Sequence, residues 1–496
     1  MRSLLLLLSL HLVPLPTLCG IKSLASHFDL RVTDEPDTIL ESGDYLFLDS
    51  SVTRNLISEE EEDYLDWDQI LGEDHDDDDY IDEIDEIEDE LEFDPVAERA
   101  DPATKRARLL GLFHGKTRIQ RLNTVNTDFA FDLYRRLSNS SNQYDNILLA
   151  PVGISTTLAM ISLGAGSHTH QQLFHTLGFG AFVNASTKYD VITVHNLFRR
   201  LTHRLFRHKF GYTLHSVNGL FVRQDTNLLG NFTENMKTYY FAEAQLSNFS
   251  DPGLVTKLNQ RILKLTKGMI RDSIQAIDPR TLLMILNCLY FKGTWENKFP
   301  VEKTYRRVFR VSEKVTVKVP MMHTKGNFLT AVDPELECDI LQLPYVGNSS
   351  MLAVLPHKLS GMKSLEKRLV AEVVVKWQSK MTNRSREVVF PKFSLAKQYD
   401  LMPYLKGMGL TLPFQAGADF SRISTQEDLI INLLKHQGSI TVNEEGTTAA
   451  SLTKASFMPL SIQNDFVVNR PFLFLIYEHR TECLLFMGRV MNPESS

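Results

Sequence analysis

Glu444-Glu-Gly-Thr-Thr-Ala-Ala-Ser-Leu-Thr-Lys-Ala-Ser-Phe-Met-Pro-Leu-Ser461 is the stretch on which the reading of this chain turns. Successive strand side chains face opposite sides, so the run divides into two faces. Thr447, Ala449, Ser451, Thr453 and Ala455 form a uniformly small face, while Thr448, Ala450, Leu452, Lys454 and Ser456 carry bulk and charge. A strand with one small face can slide between two others with little steric conflict. No proline interrupts Thr447 to Met458, so every N–H there is able to join a ladder. Gly446 supplies a permissive backbone where such a segment would pivot. Composition alone fits a polar surface loop between two strands equally well.

The flanks decide between these. Upstream stands His436-Gln-Gly-Ser-Ile-Thr-Val442, and downstream stand Asn469-Arg-Pro-Phe472, Leu473–Tyr477 and Leu484-Leu-Phe-Met-Gly488. Farther back, Asn287-Cys-Leu-Tyr-Phe-Lys-Gly-Thr-Trp295 reads as a buried strand ending in a glycine turn. Together these resemble the serpins, serine protease inhibitors that trap a target by inserting a cleaved loop into a sheet. The resemblance covers about residues 122–494. It implies an α+β fold with a large mixed or antiparallel central sheet, surrounding helices and an exposed reactive-centre loop. It makes Glu444, Glu445, Gly446 and Thr447 the hinge, and Leu460–Ser461 the bond offered to the protease. Ala150 and Gly153 replace serines usual in the family's segment beneath the opening sheet, leaving Ser155, Asn287 and His436 as members of a polar network there.

At 496 residues, 43% of them hydrophobic, the chain has ample material for a core. Its net charge of -8 is unevenly spread. Between Glu59 and Asp94 there are 22 Asp or Glu and no Lys or Arg, so the remainder is basic by about 14 charges. Met1-Arg-Ser followed by the leucine-rich run to Leu18 reads as a signal peptide over residues 1–19, and its apolar run is too short for a comfortable bilayer span. The expectation is a secreted, monomeric protein without a membrane anchor. Cys288, Cys338 and Cys483 then remain, an odd and sparse set that makes no disulfide framework. Six Asn-x-Ser/Thr sequons occur, of which Asn184 and Asn383 sit in the most polar surroundings. Asn139, Asn231, Asn248 and Asn348 are the others.

Residues 20–121 read as an N-terminal extension. Within it 59–94 is low-complexity acid that cannot pack a core and is expected to be disordered, and 95–121 is a basic linker. The folded domain is expected over 122–496. Phe129, Leu133 and Leu137 recur at helical spacing, and Ile147–Ala150 reads as a strand entering a helix. Val388–Phe390, Ile430–Leu434 and Leu473–Tyr477 read as further strands. Helices and strands mix without βαβ alternation, which argues α+β.

Catalytic chemistry is absent from the pattern. There is no Gly-x-Ser-x-Gly elbow, no HExxH and no phosphate-cradling glycine loop, and Cys288 lies in an apolar run. His168 and His170 fall on different sides of a helix, so with His175 they read as surface histidines rather than a metal site. No metal and no cofactor is called for.

Two polar features remain. No acid occurs from Val191 to Arg223. Within that span Leu197, Leu201 and Leu205 make an apolar stripe, and Arg200, Arg204 and Arg207 a basic one, flanked by Arg199, His203, His208 and Lys209. A solvated face usually mixes signs, so this points to a polyanion. A secreted protein meets sulfated glycosaminoglycans rather than nucleic acid. The second feature is a tandem, Asp63-Tyr-Leu-Asp66 repeated as Asp79-Tyr-Ile-Asp82, which makes Tyr64 and Tyr80 candidates for sulfation. Leu65, Trp67 and Ile70 among the acids are more than a solubilising tail needs.

Within the family, the resemblance is to thrombin-directed members activated by heparin or dermatan sulfate. It implies Lys188 as an outlying polyanion contact and the acidic segment as a ligand for thrombin's basic exosite. Leu460 suits the apolar pocket of chymotrypsin-like proteases, and Pro459 fits thrombin. The competing expectation is a non-inhibitory, glycosaminoglycan-binding carrier or matrix protein of the same fold.

Overall fold

The computed structural model describes residues 102–181, 190–206, 212–425, 428–444 and 465–495. In chain order the elements begin with α1 (Pro102–Gly111), α2 (Arg118–Ser140), β1 (Ile147–Leu149), α3 (Pro151–Ser162), α4 (Ser167–Thr176), α5 (Val191–Leu205), β2 (Tyr212–Arg223), α6 (Gly230–Tyr240), β3 (Ala244–Ser247) and α7 (Pro252–Leu265). There follow β4 (Leu283–Gly293), β5 (Tyr305–Arg310), β6 (Thr316–Asp333), β7 (Cys338–Tyr345), β8 (Ser349–Pro356), α8 (Met362–Arg368), α9 (Ala371–Lys380), β9 (Thr382–Pro391), β10 (Phe393–Asp400) and α10 (Met402–Gly407). The last strands are β11 (Ile431–Val442), β12 (Phe466–Val467), β13 (Phe472–Glu478) and β14 (Cys483–Val490). This is the α+β architecture expected.

Local chemistry places the main helices. A capping box starts α2: the Thr117 hydroxyl accepts from the Gln120 amide while the Gln120 side chain accepts from the Thr117 amide. Phe129, Leu133 and Leu137 are buried along it. Pro151 opens α3, where its missing N–H costs nothing, and every residue of that helix is buried. Asp190 caps α5 by accepting from the Thr193 amide at 2.8 Å.

Two sheets organise the rest. One runs β10-β11-β4-β2-β3, and the other runs β1-β14-β13-β8-β7-β6-β9-β12 with β5 against β6. In the five-stranded sheet β4 is buried along almost its whole length, Asn287 included, as a strand covered on both faces must be. The main core lies on one side of it. A second cluster, including Phe221, Leu258, Ile262, Ile274, Met284 and Cys288, packs under α7 on the other.

The N-terminal boundary differs from expectation. Residues 102–121, read as part of a basic linker, form α1 and the start of α2, with Leu109 and Phe113 buried. The ordered unit therefore reaches well before Leu122. The pattern was masked because the four buried or half-buried apolar residues at 109, 110, 112 and 113 sit among Lys105, Arg106, Arg108 and Lys116, whose charge dominates the composition. Among the described residues no helix is long and apolar enough to cross a membrane.

Candidate functional site

The five-stranded sheet contains one pairing that decides what it can do. β11 lies parallel to β4, in register His436 to Asn287 and Ile440 to Phe291. Each of the two has an antiparallel neighbour on its other edge, β10 for β11 and β2 for β4. A strand entering this seam antiparallel to both would complete an antiparallel run. A segment that followed β11 and reversed direction would meet that requirement. The chain re-enters the described structure at Asp465, before β12, which pairs with β9 in the other sheet. The bait bond Leu460–Ser461 and the hinge residues Glu445, Gly446 and Thr447 lie outside the described residues, as do Tyr64 and Tyr80.

The root of that segment is held in place. The Trp295 indole N–H donates to the Asn443 carbonyl at 2.8 Å, and the indole stacks on Tyr345 with ring centres 4.2 Å apart. Glu444 is buried, and its carboxylate meets the Lys392 ammonium at 2.8 Å. Burial alone would raise the Glu444 pKa. The Lys392 contact brings it below the usual value, so Glu444 is an anion at neutral pH. Lys392 carried no signal in the sequence, because the pair joins positions 52 residues apart.

Across the seam runs a polar chain. The Ala150 amide donates to His436 Nε2 at 3.1 Å, which leaves the His436 Nδ1 proton to donate to Asn287 Oδ1 at 2.6 Å. The Asn287 amide donates in turn to Asn218 Oδ1 at 2.5 Å, where the Thr157 hydroxyl also donates at 3.2 Å. The departures at 150 and 153 are thereby accommodated. The backbone amide of Ala150 makes the bond itself, and a Cβ on Gly153 would come within 2.7 Å of Asn287 Nδ2. Ser155 is buried close by in α3, but its hydroxyl has no hydrogen-bond partner, so it does not join this chain.

Burial depresses the His436 pKa from 6.5 to about 3. The unfolded chain therefore binds a proton near pH 6.5 that the native state refuses. Stability is unaffected above that pH and falls as pH drops towards 3, by at most about 1.4 kcal/mol per pH unit from this group. His195, depressed to about 3 by burial, acts in the same direction. His436→Gln should therefore shrink the acid loss of stability without abolishing it. Thermal melts from pH 7 to 4 check this, and an unchanged slope would refute it. At pH 7 the same variant should be less stable by roughly 1–3 kcal/mol, through partners left unpaired.

On α5 the predicted stripes separate as helical geometry requires. Leu197, Leu201 and Leu205 are buried, while Arg199 and Arg200 are exposed and His203 is half-buried. Arg204 differs from the exposed reading. Its guanidinium reaches back 3.2 Å to the buried carboxylate of Glu478, at the end of β13. Burial would raise Glu478, but the Thr481 hydroxyl and amide and the Arg204 charge hold it below the carboxylate norm. Sequence reading missed Glu478 as a partner, since no local spacing links 204 to 478. Lys188, Arg207, His208 and Lys209 lie outside the described residues, so only part of the basic face is placed.

Of the sequons, Asn139, Asn231, Asn248, Asn348 and Asn383 are exposed, and Asn184 lies outside the described residues. Cys288, Cys338 and Cys483 are buried thiols, and burial pushes Cys288 up to about 12. His168 and His175 are exposed, and His170 stacks on Phe174. Among the described residues no group of three His, Cys, Asp or Glu side chains is placed to hold a metal.

Comparison with known proteins agrees with this geometry. The family model described as Serpin (serine protease inhibitor) matches residues 124–493. Heparin cofactor 2 of Homo sapiens is 56% identical over 450 residues, covering 90% of this chain and 88% of that protein. Heparin cofactor 2 of Rattus norvegicus is 54% identical, covering 90% and 91%. Among solved structures, mouse protein-Z dependent protease inhibitor superposes with a TM-score of 0.69 at 30% identity, over 76% of this chain and 98% of that one. Human thyroxine-binding globulin superposes equally well, with a TM-score of 0.69 at 31% identity over 76% and 99%.

Proposed function

This chain belongs to the serpin family, and from that premise we propose that it is a secreted suicide-substrate inhibitor of serine proteases, with thrombin the principal target. The observation that carries the reading is the parallel β4·β11 seam, with the chain leaving β11 at its edge. The protease serine attacks the Leu460 carbonyl, the amine of Ser461 leaves, and an acyl-enzyme joins the two proteins. The segment from Gly446 onward then enters the seam antiparallel to β4 and β11, carrying the protease with it. About nine inserted residues would make roughly eighteen bonds while the existing β4·β11 ladder of about half that number is given up, so at ~1 kcal/mol net per bond the step is worth on the order of 10 kcal/mol. The uninserted state is therefore metastable, and insertion releases the stored strain.

Heparin or dermatan sulfate accelerates the encounter in this reading. Arg199 and Arg200 are exposed on α5, and Lys188, His203, Arg207, His208 and Lys209 are the further bases assigned to the polyanion in this reading. The acidic segment 59–94, sulfated at Tyr64 and Tyr80, grips a basic exosite on the protease. Leucine is a poor bait for a trypsin-like pocket whose buried Asp wants a cation, so binding energy from elsewhere has to compensate.

A second reading rests on the likeness to thyroxine-binding globulin, a protein named for binding thyroxine and not for inhibiting a protease. The same fold thus also serves binding proteins, and a non-inhibitory glycosaminoglycan-binding role would leave the seam unused. Incubation with thrombin, with and without dermatan sulfate, separates the two. The inhibitor yields a complex that survives a denaturing gel, and a carrier yields none. On the same gel Leu460→Arg should raise the thrombin rate without glycosaminoglycan by roughly tenfold or more, and lower the rate with chymotrypsin-like proteases. Unchanged rates with both would mean the bait bond lies elsewhere.

A further inference from the structure

α1 is short, and a helix of this length does not hold itself together in water. The body holds it. Leu109 and Phe113 are buried, and α1 packs on the 3-10 turn Phe179–Ala181 that precedes α5. Beneath it lies an acidic floor. Asp128 of α2 is almost fully buried, and Glu372 of α9 and Asp132 of α2 stand beside it. The Lys105 ammonium sits 2.9 Å from Asp128 and 2.7 Å from Asp132. Arg108 bonds Asp128 and reaches Glu372 at 3.2 Å. Burial works against both charges of the Lys105–Asp132 pair. Even so, Lys105 is held above its usual pKa and Asp132 below, so the facing charges prevail. Lifting α1 would take both of these cations away from a buried carboxylate.

This footing has a consequence for the acidic arm. Asp94 ends the acidic block and Pro102 begins α1, leaving seven residues between them, a reach of at most about 25 Å. With α1 released, the connection would run from 95 to the cap of α2 at Thr117. We propose that α1 is a clip that roots the acidic arm on the body, and that its ion-paired footing on Asp128, Asp132 and Glu372 keeps the arm's tether short. This rests on the reading of 59–94 as a protease-gripping arm. Once arm and tether together span the distance to a protease engaged by the bait loop, a shorter tether raises the arm's effective concentration there, which falls roughly as the 3/2 power of length beyond that span.

The test uses the full chain. Lys105→Met with Arg108→Met keeps helix propensity and bulk but removes both cations. The amides of 105–111 should lose hydrogen-exchange protection. Polyanion-accelerated inhibition should fall by up to about fivefold, the limit for a grip that begins at Asp94 and a tether lengthened about threefold, with the rate in the absence of polyanion unchanged. Adding Asp128→Asn and Glu372→Gln removes the stranded charges and should restore both. Full protection in the double Met variant overturns the clip. Lost protection with unchanged acceleration overturns the tether role. An arm that does not act at all shows itself separately, as a deletion of 59–94 that leaves acceleration intact.

Discussion

Thr447→Arg should turn the inhibitor into a substrate, cleaved after Leu460 with the protease released active and little covalent complex formed. Thr447 begins the small face of the segment that would enter the seam. The positions flanking that seam are closed to water: His436, Gln437 and Ser439 on β11 and Asn287, Cys288 and Leu289 on β4 are all buried. Both sheet faces are covered, by the main core on one side and the cluster under α7 on the other. An arginine carried in has no exposed side to choose. Glu444, three residues before Thr447, is already engaged by Lys392. A buried unpaired charge costs several kcal/mol. Insertion races against hydrolysis of the acyl bond, and a barrier raised by about 3 kcal/mol slows it on the order of a hundredfold. Hydrolysis then wins. Complex yield on a denaturing gel, with residual protease activity, reads the partition. A normal yield would mean that 447 does not enter the sheet, and the insertion mechanism would fall with it.

What the residues disclosed in advance, and what they did not, follows from the range of each interaction. Repeats within one element are local, so Phe129, Leu133 and Leu137 on α2 and Leu197, Leu201 and Leu205 on α5 could be read directly, and all are buried. Asn287-Cys-Leu-Tyr-Phe291 likewise read as a buried strand, and it is buried in β4. The parallel β4·β11 pairing could not be read from periodicity, because it joins 283–291 to 431–440 and no spacing rule spans that gap. The resemblance implied a large mixed or antiparallel central sheet and left this pair unnamed. Nor could the ion pairs that hold the site. Lys392 with Glu444 and Arg204 with Glu478 each bring together residues that look like ordinary surface charges in sequence. α1 was hidden by its own composition, since the bases that made it look like a linker are the ones that dock it.

Deleting residues 59–94 should abolish most of the glycosaminoglycan acceleration of thrombin inhibition, a loss on the order of a hundredfold, while leaving the slow unaided reaction nearly intact. The segment carries 22 acids and no base, and the rest of the chain is basic by about 14 charges. In the proposed mechanism an arm of that charge on the same chain makes a weak exosite contact intramolecular and offsets the poor leucine. The same arithmetic makes a second demand. An acidic arm and a cationic α5 on one chain attract at high effective concentration, so a sulfated polymer has to compete with the arm for Arg199 and Arg200. The truncated protein should therefore bind heparin more tightly even as it responds to it less. Added salt should weaken both effects, because exposed charges are screened within about 10 Å at 0.1 M. Heparin affinity and inhibition rate measured on the same truncated protein decide between two arms. Tighter binding with lost acceleration is the signature of an arm that the polymer displaces from α5 before it grips the protease. Unchanged affinity with lost acceleration leaves an arm that serves the protease alone, and the self-masking of α5 is then wrong.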